Sequence, residues 1–152
     1  MKKRNFTFRY GLYIYLSIVA FFALMKVFNL EDVSELRLFN FVFVIYFVNK
    51  LIVRNFIEDD KVGYLYNLRT AFGASATAVF LSCASMLVYT TFVSPEFPEV
   101  LEGSFLFGRN LTGMRVVLVL FLEGMASSAI VAFTLMQYWK NYKREHKNVA
   151  LD

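Results

Sequence analysis

Four long apolar runs, divided by short polar stretches, set the pattern of this chain. The first spans Tyr10 to about Leu30 and meets no charge until Lys26. The second, Leu36 to Val53, is interrupted by Asn40, Asn49 and Lys50. The third, Thr70 to Val93, contains no charged residue, and the fourth, Arg115 to Trp139, contains Glu123. A hydrocarbon core of ~30 Å needs about 20 apolar residues rising 1.5 Å each, so every run predicts a helix long enough to cross a bilayer. The expected fold is all-α: an integral membrane four-helix bundle, one domain over residues 1–152.

The basic residues give these spans a direction. Lys2, Lys3, Arg4 and Arg9 precede the first span; Lys50, Arg54, Lys61 and Arg69 lie around the second connection; Lys140, Lys143, Arg144 and Lys147 follow the fourth span. These groups hold 12 of the 16 basic residues. The other side keeps Lys26, Arg37, Arg109 and Arg115, beside Glu31, Asp32, Glu35, Glu96, Glu99 and Glu102. Because basic loops stay cytoplasmic, the pattern predicts both termini inside. It also requires the polar second run to cross, since otherwise two basic clusters would face opposite compartments. Tyr10, Tyr13, Tyr64, Tyr66, Tyr138, Trp139 and Tyr142 gather at the same end, as expected of rings anchored at an interface.

Composition fits lipid better than water. Hydrophobic residues make up 58% and charged residues 18%, against roughly 45–50% and 25% in soluble domains. The net charge of +4 comes from clusters at span ends rather than a continuous basic face, which argues against nucleic acid. The single cysteine, Cys83, and single histidine, His146, exclude an intrachain disulfide and a thiolate metal centre. There is no phosphate loop, no H-E-x-x-H and no G-x-S-x-G. No cofactor is expected. The acidic run Glu58-Asp59-Asp60 reads as a solvated turn, and Asn110-Leu111-Thr112 matches the short glycosylation pattern.

Two features within the spans bear on packing and chemistry. Ala74, Ala78 and Ser82 recur every fourth residue in the third span, and Gly124, Ser128 and Ala132 do the same in the fourth. Such ridges let helices approach closely in lipid, so the third and fourth spans should form the tight centre, although either ridge could instead face another subunit. Glu123 lies eight residues into the fourth span. A carboxylate at that depth should face the protein interior and find a partner or stay protonated. Matching depths across spans of alternating direction gives Lys26, Asn40, Ser82 and Ser85 as its candidate neighbours. A register-fixing hydrogen bond and an ion site are both open to it.

Asp60-Lys61 and Gly63 before Arg69, then Ala71-Phe72-Gly73 opening an apolar span, and Tyr89, Phe92 and Ser94-Pro95-Glu96-Phe97 closing it form a further set. In these residues, about a quarter of the chain, it resembles a bacterial domain-of-unknown-function family of small four-span membrane proteins. The resemblance implies a bacterial inner membrane and transfers no catalytic residue. Membrane lipids and other membrane protein subunits are the expected partners. The ridges and the apolar loop residues Phe97, Val100, Leu101, Phe105, Leu106 and Phe107 lead to a non-catalytic accessory or stabilising subunit of a larger membrane complex. The alternative is a small oligomeric transporter or channel using Glu123 as a proton or cation site. A membrane-embedded enzyme ranks third, for want of a nucleophile–base set.

Overall fold

The computed structural model describes residues 6–28, 39–57, 63–93, 95 and 113–149, with side chains as far as Lys140. Four long helices account for almost all of them: α1 (Phe6–Val27), α2 (Phe39–Ile57), α3 (Tyr64–Val88, continued by a π-helical turn at Tyr89–Val93) and α4 (Gly113–Val149). Each contains a stretch long and apolar enough to cross a membrane. The protein is an all-helical bundle.

The helices overrun the apolar runs, chiefly at the end rich in Arg and Lys, called here the basic end. Apolarity stops where polar residues begin, but a helix continues wherever those side chains find partners. At the end of α2 the Arg54 guanidinium lies 4.0 Å from the centre of the Phe6 ring. Next to it, Asn55 Nδ2 donates to Asn67 Oδ1 at 2.9 Å and to Thr70 Oγ1 at 3.1 Å, while Asn67 Nδ2 donates to the Gly63 carbonyl at 3.1 Å. Asn67 is wholly buried and Asn55 nearly so. This amide pair fixes the end of α2 against the start of α3.

Cross-helix contacts establish an up-down-up-down order. Tyr13 meets Phe47 and Phe21 meets Phe43, so α1 and α2 are antiparallel. Tyr15 meets Ser85 and Lys26 meets Tyr89, so α1 and α3 run the same way. Cys83 meets the Val117 carbonyl and Val79 meets Gly124, so α4 opposes α3. The start of α1 and the end of α4 therefore share the basic end.

The centre is α3: 28% of its span is buried, against 22% in each of the others. Its small residues permit this. Ala71, Ala74 and Ala78 are buried, as are Ser128 and Ala132 of α4, so both ridges are used inside the chain. Ser75, Thr77 and Ser128 turn their hydroxyls back onto the carbonyls of Ala71, Gly73 and Gly124, leaving smooth surfaces. A further close approach lay outside the ridges read from sequence. A Cβ on Gly11 of α1 would stand 2.8 Å from both the Ala74 carbonyl oxygen and Thr77 Cβ. Tyr10 beside it is buried against Leu51 and Ala74 rather than only anchoring an interface. Ile14, Val48, Ile52 and Met136 complete the main core, whereas Leu16, Leu24, Phe80, Leu118, Leu122, Ile130 and Phe133 point outward.

Three substitutions test this packing. Gly11→Ala forces backbone against Cβ and should cost about 1–3 kcal/mol, whereas Gly63→Ala, with nothing nearer than 3.6 Å, should shift the melting temperature little. Asn67→Ala removes one of the two acceptors of the buried Asn55 amide and should cost about 1–3 kcal/mol. Thermal unfolding of the purified variants in one detergent checks all three.

Candidate functional site: a cleft between α2 and α4

Near the basic end, α2 and α4 are locked together. Trp139 Nε1 donates to Asn49 Oδ1 at 2.7 Å, and the indole stacks on Phe56 with ring centres 6.0 Å apart. Val48 and Ile52 join Ala132 and Met136 in the core there. Toward the other end, the facing residues of the two helices line a cavity instead: Asn40, Phe41 and Val44 on α2, and Leu120, Glu123, Gly124 and Ser127 on α4. Its volume is about 380 Å³, within the ~300–1,000 Å³ usual for small-ligand sites. The inner wall comes from Val79, Ser82, Cys83, Ser85, Met86 and Tyr89 of α3, with Ile18, Phe22 and Met25 of α1 behind.

The far end of the cavity is shaped by two local devices. Thr90 Oγ1 donates to the Met86 carbonyl at 3.0 Å and Thr91 Oγ1 to that of Leu87 at 2.7 Å, where the α3 ladder widens into the π-helical turn. Below it, Gly124 lets α4 close on α3, since a Cβ there would lie 2.8 and 2.9 Å from the Val79 methyls.

The wall is mostly apolar, and its polar groups fall into two kinds. Ser85 Oγ is 2.6 Å from Tyr15 Oη, where either hydroxyl can donate. Lys26 is outside the lining and donates to the Tyr89 hydroxyl instead. Asn40 Oδ1 and Ser82 Oγ, by contrast, are buried atoms without a hydrogen-bond partner among the described residues. Glu123 lines the cavity but is exposed, so it sits at the mouth. The expectation that it would turn inward and find a partner is not what the structure shows. On α4 Glu123 is next to Gly124, which packs against Val79 of α3, and the cavity lies between it and the α2 residues Asn40, Phe41 and Val44.

Glu123, Asn40, Ser82 and Ser85 thus meet around one cavity, and Lys26 stands beside it through Tyr89. Of the ridge residues, Ser82, Gly124 and Ser128 reach the cavity, while Ala74, Ala78 and Ala132 are packed beneath it. Tyr15 and Tyr89 were missed by sequence reasoning. A tyrosine whose hydroxyl needs an acceptor inside an apolar span was the available signal. Among the described residues, no three His, Cys, Asp or Glu side chains group closely enough to hold a metal ion. The acidic run Glu58–Asp60, the Asn110–Thr112 pattern and the apolar residues Phe97 to Phe107 lie outside the described residues.

No family model matches the chain, and neither does any curated protein or solved structure. The cleft offers one carboxylate, one amide and a few hydroxyls on an apolar wall, a set able to accept from a group that brings donors or positive charge.

That chemistry carries a stability signature of unusual sign. A buried hydroxyl with no partner costs free energy, so Ser82→Ala should leave the stability unchanged or raise it, by up to ~1 kcal/mol. A clear loss of stability on thermal unfolding would mean that the hydroxyl is bonded in the folded chain.

Proposed function

We infer that the protein is a four-span integral membrane protein, with both termini in the cytoplasm, that binds a cation or proton at Glu123 in the manner of a small transporter or channel. The single supporting observation is the convergence of Glu123, Asn40 and Ser82 on one cavity, with the carboxylate at its mouth. A charge near the middle of a span costs roughly 2.5–3.5 kcal/mol in lipid unless something offsets it. Glu123 lies between the basic end of the bundle and the level of the π-helical turn, within the stretch of α4 long and apolar enough to cross a membrane. The basic clusters, with the start of α1 and the end of α4 at one end of the bundle, support an orientation with the basic end inside.

The ridges that favour an accessory subunit are spent on packing within the chain. That reading keeps one supporting observation, the exposure of Glu123, because a partner helix laid over the cleft would shield the carboxylate. An oligomer of this chain would do so too.

Proteoliposomes separate these readings. The transport reading expects a cation- or proton-driven flux that Glu123→Gln abolishes while the protein still folds; a flux that survives the substitution, or none in the parent, removes it. The subunit reading expects a different protein to co-purify in mild detergent, and a clean single-component particle would count against it. For topology, cysteines placed at Lys3 and Lys61 should react with a membrane-impermeant maleimide from the same side, and labelling from opposite sides overturns the orientation.

A further inference from the structure

We propose that the cleft between α2 and α4 is a binding site for a primary amine carried on an apolar body, an alkylammonium or arylalkylammonium ion taken from the bilayer. This deepens the reading of Glu123 as a cation site and rests on it. The ligand class follows from what the wall offers and what it lacks.

Charge comes first. Glu123 is the one ionisable acid in the lining, and Lys26 is engaged with Tyr89 rather than with it. Hydrogen bonding narrows the choice. Asn40 Oδ1 can only accept and Ser82 Oγ can accept; both lack a partner among the described residues, and both are covered by neighbouring atoms, so an ammonium meets them once either side chain rotates toward it. An ammonium brings three N–H donors to a site whose acceptors come from three different helices. A quaternary ammonium brings charge without donors and leaves the amide and hydroxyl as they are. The remaining wall, with Phe22, Val44 and Leu120, is apolar and matches a hydrocarbon body. The volume of about 380 Å³ suits a ligand at the small end of the usual range.

Inorganic ions fit poorly. A calcium ion takes 6–8 oxygen ligands, and here one carboxylate, one amide and a few hydroxyls are spread over a largely apolar surface. The mouth also decides the route. It opens between two helices of membrane-spanning length, beside outward-facing Leu122, so an amphiphile already dissolved in lipid reaches Glu123 sideways.

The test uses the full chain in nanodiscs of zwitterionic lipid and radiolabelled decylammonium, measured by equilibrium dialysis with empty nanodiscs subtracted. Saturable binding is expected, weakened about 10-fold by Glu123→Gln, the loss of one charge-assisted hydrogen bond. Ser82→Ala should weaken it roughly 3-fold without lowering the melting temperature. Decyltrimethylammonium should compete less well than decylammonium, and decanol not at all. Binding to Glu123→Gln at the parent affinity, or decanol competing equally, overturns the proposal. Should Glu123→Gln not fold, Leu120→Trp fills the cavity with the carboxylate kept; undiminished decylammonium binding to that variant also overturns it. Failure here is distinct from failure of the transport reading. A Glu123-dependent flux without decylammonium binding leaves transport standing and removes the amine, whereas binding without flux does the reverse.

Discussion

A polar side chain packed between four helices this apolar has little but the protein itself to bond to, and the need to satisfy each one organises this bundle. Asn55 takes Asn67 and Thr70, Trp139 takes Asn49, Tyr15 takes Ser85, and Lys26 takes Tyr89. Each of these pairs joins two different helices. Apolar packing alone gives little direction in lipid, since the tails are as apolar as leucine, so these bonds and the small-residue approaches specify which helix lies beside which. Asn40 Oδ1 and Ser82 Oγ have no such bond among the described residues, and both residues line the cavity that Glu123 borders.

That place exists because the two means of holding helices together act at different levels. Near the basic end, large groups span the gap between α2 and α4, with the Trp139 indole reaching Phe56 and Asn49. Farther along, α4 is drawn onto α3 by Gly124 against Val79, and α1 is drawn onto α3 by Gly11 against Ala74. With α3 holding both neighbours closely, α2 is the helix left with space beside it. A cavity opens where its Asn40, Phe41 and Val44 face α4.

The architecture was largely legible in the sequence because length and apolarity are properties of single segments. Four runs of spanning length become four helices, and the every-fourth-residue ridges predict that α3 and α4 pack closely. The helix ends were less legible. Arg54 and Asn55 break the apolar run, yet the helix continues through them because Phe6 and Asn67 are waiting on other segments. Depth matching selected Asn40, Ser82 and Ser85 for Glu123, since depth depends only on position along alternating spans. It could not supply rotation about the helix axis. For that reason it missed that Ser85 is taken by Tyr15, that Lys26 is taken by Tyr89, and that Glu123 faces the mouth of the cleft rather than its interior.

The distinction between taken and untaken groups argues for a binding role over a purely structural one. If Glu123 served to fix register, its bonding partner would belong to this chain, as it does for Asn55 and Trp139, and removing that bond would loosen the fold. Among the described residues it has no such bond, and neither do Asn40 Oδ1 and Ser82 Oγ. Asn40 Oδ1 and Ser82 Oγ, buried without a bond among the described residues, cost stability instead of adding to it, and proteins tolerate such costs chiefly where function needs the unpaired group. On the binding role proposed above, that free energy is recovered when something from outside enters the cleft. An occupant with donors and positive charge recovers it at both positions, and an apolar acyl chain recovers it at neither.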